Sequence, residues 1–289
     1  MRTESTWPPE PPIEMPPART VLVHDRGEFF LRDTGGSGQP VMLLHGWFAS
    51  ADLNWWPVVG DLVTAGYRVL AIDHRGHGRG LRPMRPFRLV DCAGDAAAVL
   101  RTLGAAPAHV VGYSMGGAIA QLVARDHPDV VTGLVLSGTA QHWQDRRTRR
   151  AFRALGALGL VLSVAPRATY QAGLRRSGLR PGKETAWLQA ELMRHSARDV
   201  IEAGRELGRF DSRPWLGSVK PPVAVVLTTR DELVPPRKQR ALAEAARAQV
   251  FEVPLMHLDV GRPGTGYSRV LLDALQAVGA RAQEPVKAA

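Results

Sequence analysis

The serine at position 114 has the sequence setting that most clearly indicates chemistry. It lies in Gly112-Tyr113-Ser114-Met115-Gly116, where an apolar run ending at Ser114 meets a stretch of helical length, Met115 to Asp126. A sharp strand-to-helix turn leaves no room for large side chains two residues before and after the serine, and both positions are glycine. Such a turn presents the hydroxyl beside the N–H groups that begin the helix. G-x-S-x-G alone is a weak pattern, but this context predicts a nucleophile.

The elements that must position this serine follow an alternating pattern. Six short, mostly continuous apolar runs predict strands buried on both faces of a parallel sheet. They are Pro40 to Gly46, Tyr67 to Asp73, His109 to Ser114, Val131 to Gly138, Pro222 to Asp231 and Val250 to Pro254. Stretches of helical length lie at 51–65, 89–103, 115–126, 237–248 and 267–281, and two earlier runs around Arg26-Gly27 predict a hairpin. The pattern predicts an α/β fold with a mostly parallel central sheet covered by helices on both faces.

The alternation is interrupted between residues 139 and 217, where the sequence is helical, rich in arginine and without a good strand. Because the runs on either side both resemble core strands, the segment 139–217 is predicted to be a helical cap inserted above the carboxyl edge of the sheet. The core then comprises residues 20–138 and 218–289. The proline-rich residues 1–19 are predicted to form a disordered arm.

Four motifs together resemble the α/β-hydrolase family, and specifically its serine esterase and lipase-like members with a helical cap. They are His45-Gly46, Asp73 to Gly78 (DHRGHG), Gly112 to Gly117 (GYSMGG) and the pair Asp231 and His257. The resemblance extends over nearly everything from residue 20 to 281. It implies the chain order serine, acid, histidine. His257 is then the base that activates Ser114, and Asp231 orients the imidazole and stabilises its charged form.

Other residues compete for these two roles. Glu232 is adjacent to Asp231, which could itself cap the helix that follows Pro235-Pro236. Asp259 lies only two residues from His257 and is poorly placed to reach its far nitrogen. Several further histidines have no comparable strand-end position and are predicted to be surface or cap residues: His24, His127, His142 and His195.

The resemblance also implies an oxyanion hole made by the backbone N–H groups of Trp47 and Met115. His45 and the loop 73–80 are expected to be structural, and a metal site at His74 and His77 lacks further ligands. No cofactor or metal is expected. Aromatic residues near the hole are candidates for substrate contacts, although such residues are more often core. The predicted contacts are Phe48, Tyr113 and Trp143, with Trp47, Trp55 and Trp56 as further candidates.

The implied reaction is hydrolysis of a small-molecule carboxylic ester through an acyl-enzyme on Ser114. A serine at this position argues against relatives that use aspartate, namely haloalkane dehalogenases and epoxide hydrolases. Carbon–carbon bond hydrolases, lactonases, amidases and cofactor-free perhydrolases share the same triad and stay open as alternatives. A ligand-binding protein without turnover on the same scaffold is a further alternative.

The formal net charge of +10 is concentrated in one region, because residues 141–214 hold 15 Lys and Arg against 7 Asp and Glu. One interpretation is attraction to an anionic substrate or peripheral contact with anionic lipid, above all through Arg146, Arg147, Arg149 and Arg150. The other is a set of solvated arginines on amphipathic helices. No nucleic-acid-binding motif accompanies the charge, so nucleic acid is not expected as a partner.

The cellular location is predicted from the apolar runs and the cysteine content of the sequence. No signal peptide or membrane-length apolar run is present, and the single cysteine, Cys92, is expected to be a small buried helical residue. These features predict a cytoplasmic protein, whereas oligomeric state has no signature in the sequence.

Overall fold

The structure is a computed structural model that describes residues 9–82 and 84–283. Its centre is an eight-stranded sheet with the strand order β1-β2-β4-β3-β5-β6-β7-β8. The strands are β1 (Ala18–Val23), β2 (Gly27–Asp33), β3 (Pro40–Leu44), β4 (Arg68–Ile72), β5 (Ala108–Tyr113), β6 (Val131–Ser137), β7 (Val223–Thr228) and β8 (Gln249–Val253). Only the pairs β1–β2 and β2–β4 are antiparallel. The predicted mostly parallel α/β sheet is therefore confirmed.

The predicted hairpin is the antiparallel edge of this sheet. Gly27, at the start of β2, has a φ of +112°, a region that glycine occupies without strain. Strand β1 begins at Ala18, inside the segment predicted to be a disordered arm, and the carbonyl of Pro17 accepts a hydrogen bond from Asp33 N–H. Residues 1–8 of that arm lie outside the described residues. The arm as predicted is thus too long at its carboxyl end, because its last residues pair with β2.

Helices cover both faces of the sheet, as the alternation predicted. Six of them are α1 (Ala51–Trp55), α2 (Val59–Thr64), α3 (Leu89–Thr102), α4 (Met115–Asp126), α10 (Pro236–Ala245) and α11 (Tyr267–Gln283). Side chains of β3 alternate between two buried clusters: Met42 and Leu44 join one, and Val41 and Leu43 join the other. The single helix predicted over 51–65 is wrong. It is divided into α1 and α2 around Pro57, because proline cannot donate the helical hydrogen bond and its ring clashes with the preceding turn.

Five helices lie between β6 and β7, and we call them the inserted helices. They are α5 (Arg146–Arg153), α6 (Leu155–Val164), α7 (Pro166–Arg176), α8 (Lys183–Leu192) and α9 (Ala197–Arg209). The end of α8 is fixed to the core by Arg79, whose guanidinium binds Glu191 at 2.7 Å and Asp52 at 3.2 Å. His195 adds a second tie, since its Nδ1 accepts a hydrogen bond from Gly78 N–H at 3.0 Å. His195 therefore belongs to the insertion, as expected, but it is buried against the core loop instead of lying at the surface.

Cys92 lies buried in α3, where burial raises the pKa of its thiol well above the usual value. A buried thiol is shielded from oxidants in any compartment, so Cys92 does not bear on location and the cytoplasmic location stays a prediction. Within the described ranges, no helix is long and apolar enough to cross a membrane.

Candidate active site

Ser114 occupies a strained turn between β5 and α4. Its φ of +54° and ψ of −115° are rarely adopted by a residue with a side chain, and such strain persists only where the surroundings enforce it. Close backbone approach explains the flanking glycines. A Cβ on Gly112 would lie 2.3 Å from the carbonyl oxygen of Gly116, and one on Gly116 would lie 2.0 Å from that of Leu44. The predicted strand-to-helix elbow is present at this position.

The structure brings Ser114, His257 and Asp231 together at the carboxyl edge of the sheet. His257 begins a short 3-10 helix after β8, and its Nε2 lies 3.0 Å from Ser114 Oγ. Its Nδ1 lies 2.6 Å from Asp231 Oδ2 in the loop after β7. The three residues are between 3% and 8% exposed. In this geometry Nδ1–H donates to the carboxylate, which leaves Nε2 free to accept the serine proton.

Asp231 is held by more than the imidazole. Oδ2 also accepts a hydrogen bond from Thr228 Oγ1, and Oδ1 accepts from the backbone N–H groups of Leu233 and Val234. The competing carboxylates are directed elsewhere. The side chain of Glu232 is exposed, and Asp259 accepts a hydrogen bond from Met256 N–H and pairs with Arg262.

Tyr113 supports the position of His257. Its hydroxyl donates to the carbonyl oxygen of His257 at 2.5 Å, and the two ring centroids are 5.0 Å apart. Sequence reasoning predicted Tyr113 as a substrate contact, and it does line the cavity described below, but its hydrogen bond was missed. The two residues are 144 positions apart, so no local pattern could have shown it.

The predicted oxyanion donors belong to two segments next to Ser114, since Met115 follows it in the chain and a Cβ on Gly46 would lie 3.4 Å from Ser114 Cβ. Met115 N–H is at the first turn of α4, and Trp47 N–H is in the loop after β3; neither has an acceptor among the hydrogen bonds of the described residues. The loop after β3 has a tightly constrained backbone. Gly46 N–H donates to Asn54 Oδ1 at 2.9 Å, and Phe48 has a φ of +58°. Two free N–H groups beside a serine hydroxyl could stabilise an oxygen that gains negative charge.

A buried polar cluster lies beneath this loop. His45 Nδ1–H donates to Gly46 O at 2.8 Å, and its Nε2 accepts from His74 N–H at 3.0 Å. Burial lowers the pKa of His45 well below the usual value, which keeps the ring neutral. Asp73 accepts from Ala51 N–H and Arg79 N–H, and burial raises its pKa to about 7. These contacts fit the structural role expected for both motifs. No group of three or more potential ligands among the described residues is arranged to hold a metal.

The side chain of Trp47 connects the loop after β3 to the inserted helices. Its indole N–H donates to the carbonyl oxygen of Val200 on α9 at 2.8 Å. The ring lies over Gly204, where a Cβ would be 2.4 Å from Trp47 Cζ2. The sequence predicted Trp47 as a backbone N–H donor and as a candidate for substrate contact. It did not predict the hydrogen bond to Val200, which lies 153 positions further along the chain.

A cavity of about 400 Å³ lies between Ser114 and the inserted helices. Its wall is mainly apolar: Leu158 and Leu162 from α6, Leu174 from α7, and Leu188 and Leu192 from α8. Phe48, Tyr113, Trp47 and Trp56 also contribute, as does His257.

Two aromatic candidates lie elsewhere. Trp143, predicted as a substrate contact, is not part of this wall among the described residues. It packs on Phe210 at 5.8 Å, where both rings fill the core beneath the insertion, and Trp55 is fully buried. The cavity gives space for a mostly apolar ligand beside the serine.

Comparison with known proteins agrees with this geometry. A model of the alpha/beta hydrolase fold matches residues 39–170. A putative carbamate hydrolase, RutD, of Variovorax paradoxus is 30% identical over 263 residues, which cover 84% of this chain and 94% of that protein. The chain belongs to the α/β-hydrolase fold family.

Two further similarities differ in how much of each protein they cover. A non-heme haloperoxidase of Rhodococcus erythropolis is 42% identical over 119 residues, which cover 41% of this chain but only 43% of that protein. A thermophilic esterase from Thermogutta terrifontis has a TM-score of 0.75 at 23% identity, over 91% of this chain and 99% of that one. This last likeness shows the shared fold alone.

Proposed function

We propose that the protein is a serine hydrolase that cleaves carboxylic esters. The observation that carries the proposal is the continuous line from Ser114 Oγ through the imidazole of His257 to the carboxylate of Asp231, at 3.0 Å and 2.6 Å. A serine hydroxyl is a weak nucleophile until a base removes its proton, and this line supplies both the base and the group that fixes its tautomer.

The reaction proceeds in two halves. Ser114 Oγ attacks the carbonyl carbon while His257 Nε2 takes the hydroxyl proton, and the carbonyl oxygen becomes an oxyanion held by Trp47 N–H and Met115 N–H. The C–O bond to the alcohol then breaks, and His257 returns the proton to the leaving oxygen. Water, deprotonated by His257, attacks the acyl-enzyme, and the acid leaves as the Ser114 hydroxyl re-forms. No cofactor enters this sequence.

The substrate is an ester with an apolar acyl or alcohol group, because the wall of the cavity consists mainly of leucine and aromatic side chains. The segment 139–217 acts as the cap that supplies much of this wall and limits the length of the group it holds. Ester hydrolysis also agrees with the name of the putative carbamate hydrolase RutD, which matches most of the chain, since a carbamate, like an ester, is cleaved at a carbonyl carbon.

Labelling with a fluorophosphonate, followed by assays on p-nitrophenyl esters of increasing acyl length, tests the proposal. The wild type should be labelled at Ser114 and hydrolyse at least some esters, and Ser114→Ala should do neither. Ser177→Ala is a matched control, because Ser177 lines the same cavity but lies on the side of the inserted helices. A folded wild type that resists labelling would favour a ligand-binding protein without turnover.

Perhydrolysis is a second candidate, favoured by the haloperoxidase that is 42% identical over part of the chain. Hydrogen peroxide in place of water would attack the same acyl-enzyme and release a peracid, with His257 again accepting the proton. Measuring peracid against free acid from one ester, with and without peroxide, separates the two reactions. Labelling at Ser114 without turnover of any ester would instead favour a carbon–carbon hydrolase, a lactonase or an amidase.

A further inference from the structure

We propose that α5 and α6 form a docking surface for an anionic lipid bilayer at the outer side of the cavity. We call this surface, made of residues 146–164, the basic-apolar face. The docking itself is independent of catalysis. The consequence that an apolar ester reaches Ser114 from the lipid phase rests on the proposed function.

The first observation is unbalanced positive charge. Residues 146–183 contain ten Arg and Lys and no Asp or Glu. In α5, the exposed residues Arg146, Arg149, Arg150 and Arg153 recur at the spacing that places side chains on one helical face. None of these four takes part in an ion pair among the described residues, whereas arginines of the core such as Arg32 and Arg75 are paired. The charge on α5 is therefore available to an external anion.

The second observation is exposed aliphatic surface on the next helix. Leu160, Val161 and Val164 of α6 are 68%, 50% and 77% exposed, and their spacing places them on one side of the helix. Leaving three such side chains in water forgoes the hydrophobic stabilisation that burial gives. Adjacent exposed apolar residues on one helix are typical of a surface that contacts a partner or a membrane.

The two helices are neighbours within the insertion. Both pack on α9: Phe152 of α5 lies against Gly208, and Gly159 of α6 lies against Ile201. Since α5 and α6 are consecutive helices that also contact each other, we take their exposed residues as parts of one surface. The inner side of α6 contributes Leu158 and Leu162 to the cavity wall, so a single helix separates the outer apolar residues from the ligand space.

The combination selects a lipid surface as the partner. Arginines next to aliphatic side chains are what an interfacial helix needs, because guanidinium groups bind phosphate while leucine and valine enter the acyl region. A nucleic acid would use the charge but gain nothing from exposed leucine and valine, and this face presents no exposed aromatic residue for stacking on bases. The apolar cavity directly behind α6 fits a ligand that dissolves in the same lipid phase.

Vesicle flotation with the full-length protein tests the proposal. We expect binding to phosphatidylcholine vesicles that contain about one third phosphatidylglycerol, weak binding to phosphatidylcholine alone, and release in 1 M salt, where the screening length falls to about 3 Å. Arg149→Glu/Arg150→Glu should weaken binding to the anionic vesicles at least about tenfold, because each arginine near such a surface contributes a several-fold factor. Leu160→Gln/Val164→Gln should weaken it also at low salt.

Matched variants control for net charge and for exposed apolar area. Lys220→Glu/Arg247→Glu makes the same change in charge at a pocket beside the start of β7, at the opposite edge of the sheet, and Leu22→Gln/Val63→Gln removes exposed aliphatic area elsewhere. Both controls should bind vesicles like the wild type, and all four variants should hydrolyse a short soluble ester normally.

Three results would overturn the proposal: absence of flotation with anionic vesicles, equal losses in the test and control variants, or binding to duplex DNA that depends on Arg149 and Arg150 without vesicle binding. Flotation needs no turnover, so it can succeed where ester hydrolysis fails.

Discussion

Asp231 accepts four hydrogen bonds, and only one of them comes from the imidazole of His257. The other three fix the carboxylate in place, so that Oδ2 points at Nδ1 before any substrate arrives. A carboxylate in this position sets the tautomer of the imidazole and stabilises its charged form during attack. Fixing it in advance avoids reorganisation when the proton moves.

Asp231→Asn should reduce kcat for a p-nitrophenyl ester by about 10³- to 10⁴-fold, because the amide can donate to Nδ1 and favour the wrong tautomer. Denaturant unfolding should also show a loss of about 1 to 3 kcal/mol, since the amide group cannot accept all the present hydrogen bonds. Asp259→Asn is the matched control, because it removes a carboxylate two residues from His257 that bonds Met256 N–H. Similar losses of kcat in both variants would contradict the assignment of Asp231 as the residue that orients His257.

For single residues, the sequence predicts which side chains form the site better than it predicts the hydrogen bonds that hold those side chains in place. Ser114 could be selected because it ends a predicted strand at a G-x-S-x-G turn. Asp231 and His257 could be selected because the family resemblance implies an acid and then a histidine at strand ends. The hydrogen bond from Tyr113 to His257 O could not be predicted, because it joins the end of β5 to the segment after β8, and these two parts of the chain approach each other only in the folded protein.

Two elements that are far apart in sequence meet at Trp47. The indole hydrogen bond to Val200 O and the contact with Gly204 fix the loop after β3 against α9. Because the same residue carries a proposed oxyanion donor on its backbone, we expect the position of α9 to affect the geometry at the proposed reacting carbonyl. We therefore propose that Trp47 acts as a positioning residue through its side chain.

Gly204→Ala and Trp47→Phe should both lower kcat more than they raise KM. The new Cβ would lie 2.4 Å from the indole and displace it, and phenylalanine lacks the N–H. A misplacement of about 1 Å at a reacting group can cost on the order of 100-fold. The measurement is the separate change in kcat and KM on a short ester. Gly156→Ala, which adds a methyl to α6 where nothing lies within 4 Å, should behave like the wild type. A rise in KM alone for Gly204→Ala would contradict the positioning role.

Asp33 joins the antiparallel edge to the parallel strands, and it predicts how stability depends on pH. Burial tends to raise its pKa, but hydrogen bonds from Arg68, Gly35 and Arg19 outweigh burial and lower the pKa to about 2. The folded state therefore holds this carboxylate ionised more readily than the unfolded state does. Its stabilisation is present above the unfolded pKa of about 4 and is lost as the pH falls toward 2.

Asp33→Asn should reduce the free energy of unfolding at pH 7 by about 2 kcal/mol, and the difference from the wild type should shrink as the pH falls from 5 to 3. Urea unfolding at several pH values measures this difference. Asp129→Asn, which breaks an ion pair with Arg101 that is largely exposed, should change stability by no more than about 1 kcal/mol at any pH. A difference for Asp33→Asn that is constant with pH would contradict the assignment.

Strand positions were predictable at this scale because buried parallel strands are short and continuously apolar. Helix boundaries were less predictable from the sequence. Pro57 was visible in the sequence, but an apolar stretch with a suitable length still suggested one helix where two are present. The packing partner of Trp47 could not be predicted, because α9 approaches the loop only through the arrangement of the insertion as a whole.

In the whole molecule, the cavity lies between two parts that come from different segments of the sequence. The sheet edge supplies Ser114, His257 and the loop after β3, and the inserted helices supply most of the apolar wall. The sequence predicted both parts, but it could not say which aromatic residues face the space between them. Trp143 was assigned to the wall and instead lies in the core, because periodicity alone does not show which side of the insertion packs downward.

Filling the cavity should change the preference for acyl length without removing activity. Leu188→Trp on α8 is expected to lower kcat/KM for long-chain p-nitrophenyl esters by about tenfold or more, with little effect on the acetate, because contacts with a pocket wall discriminate between chains of different length. Met193→Trp, at the end of the same helix but outside the cavity wall, is the control. Equal effects of both variants on every ester would place the acyl chain elsewhere.

The adjacent parallel strands β6 and β7 are continuous in space although the insertion separates them in sequence, with Ser137 opposite Val226. Every residue proposed to react lies outside the segment between these strands, so evolution or an engineer could exchange that segment and retain the chemistry. Such a transplant has to reproduce at least three contacts with the core. They are the carbonyl oxygen of Val200 for the indole of Trp47, the carboxylate of Glu191 for Arg79, and the imidazole of His195 for Gly78 N–H. A donor segment that lacks these contacts would leave the residues proposed to react in place but the loop after β3 without its support from the insertion.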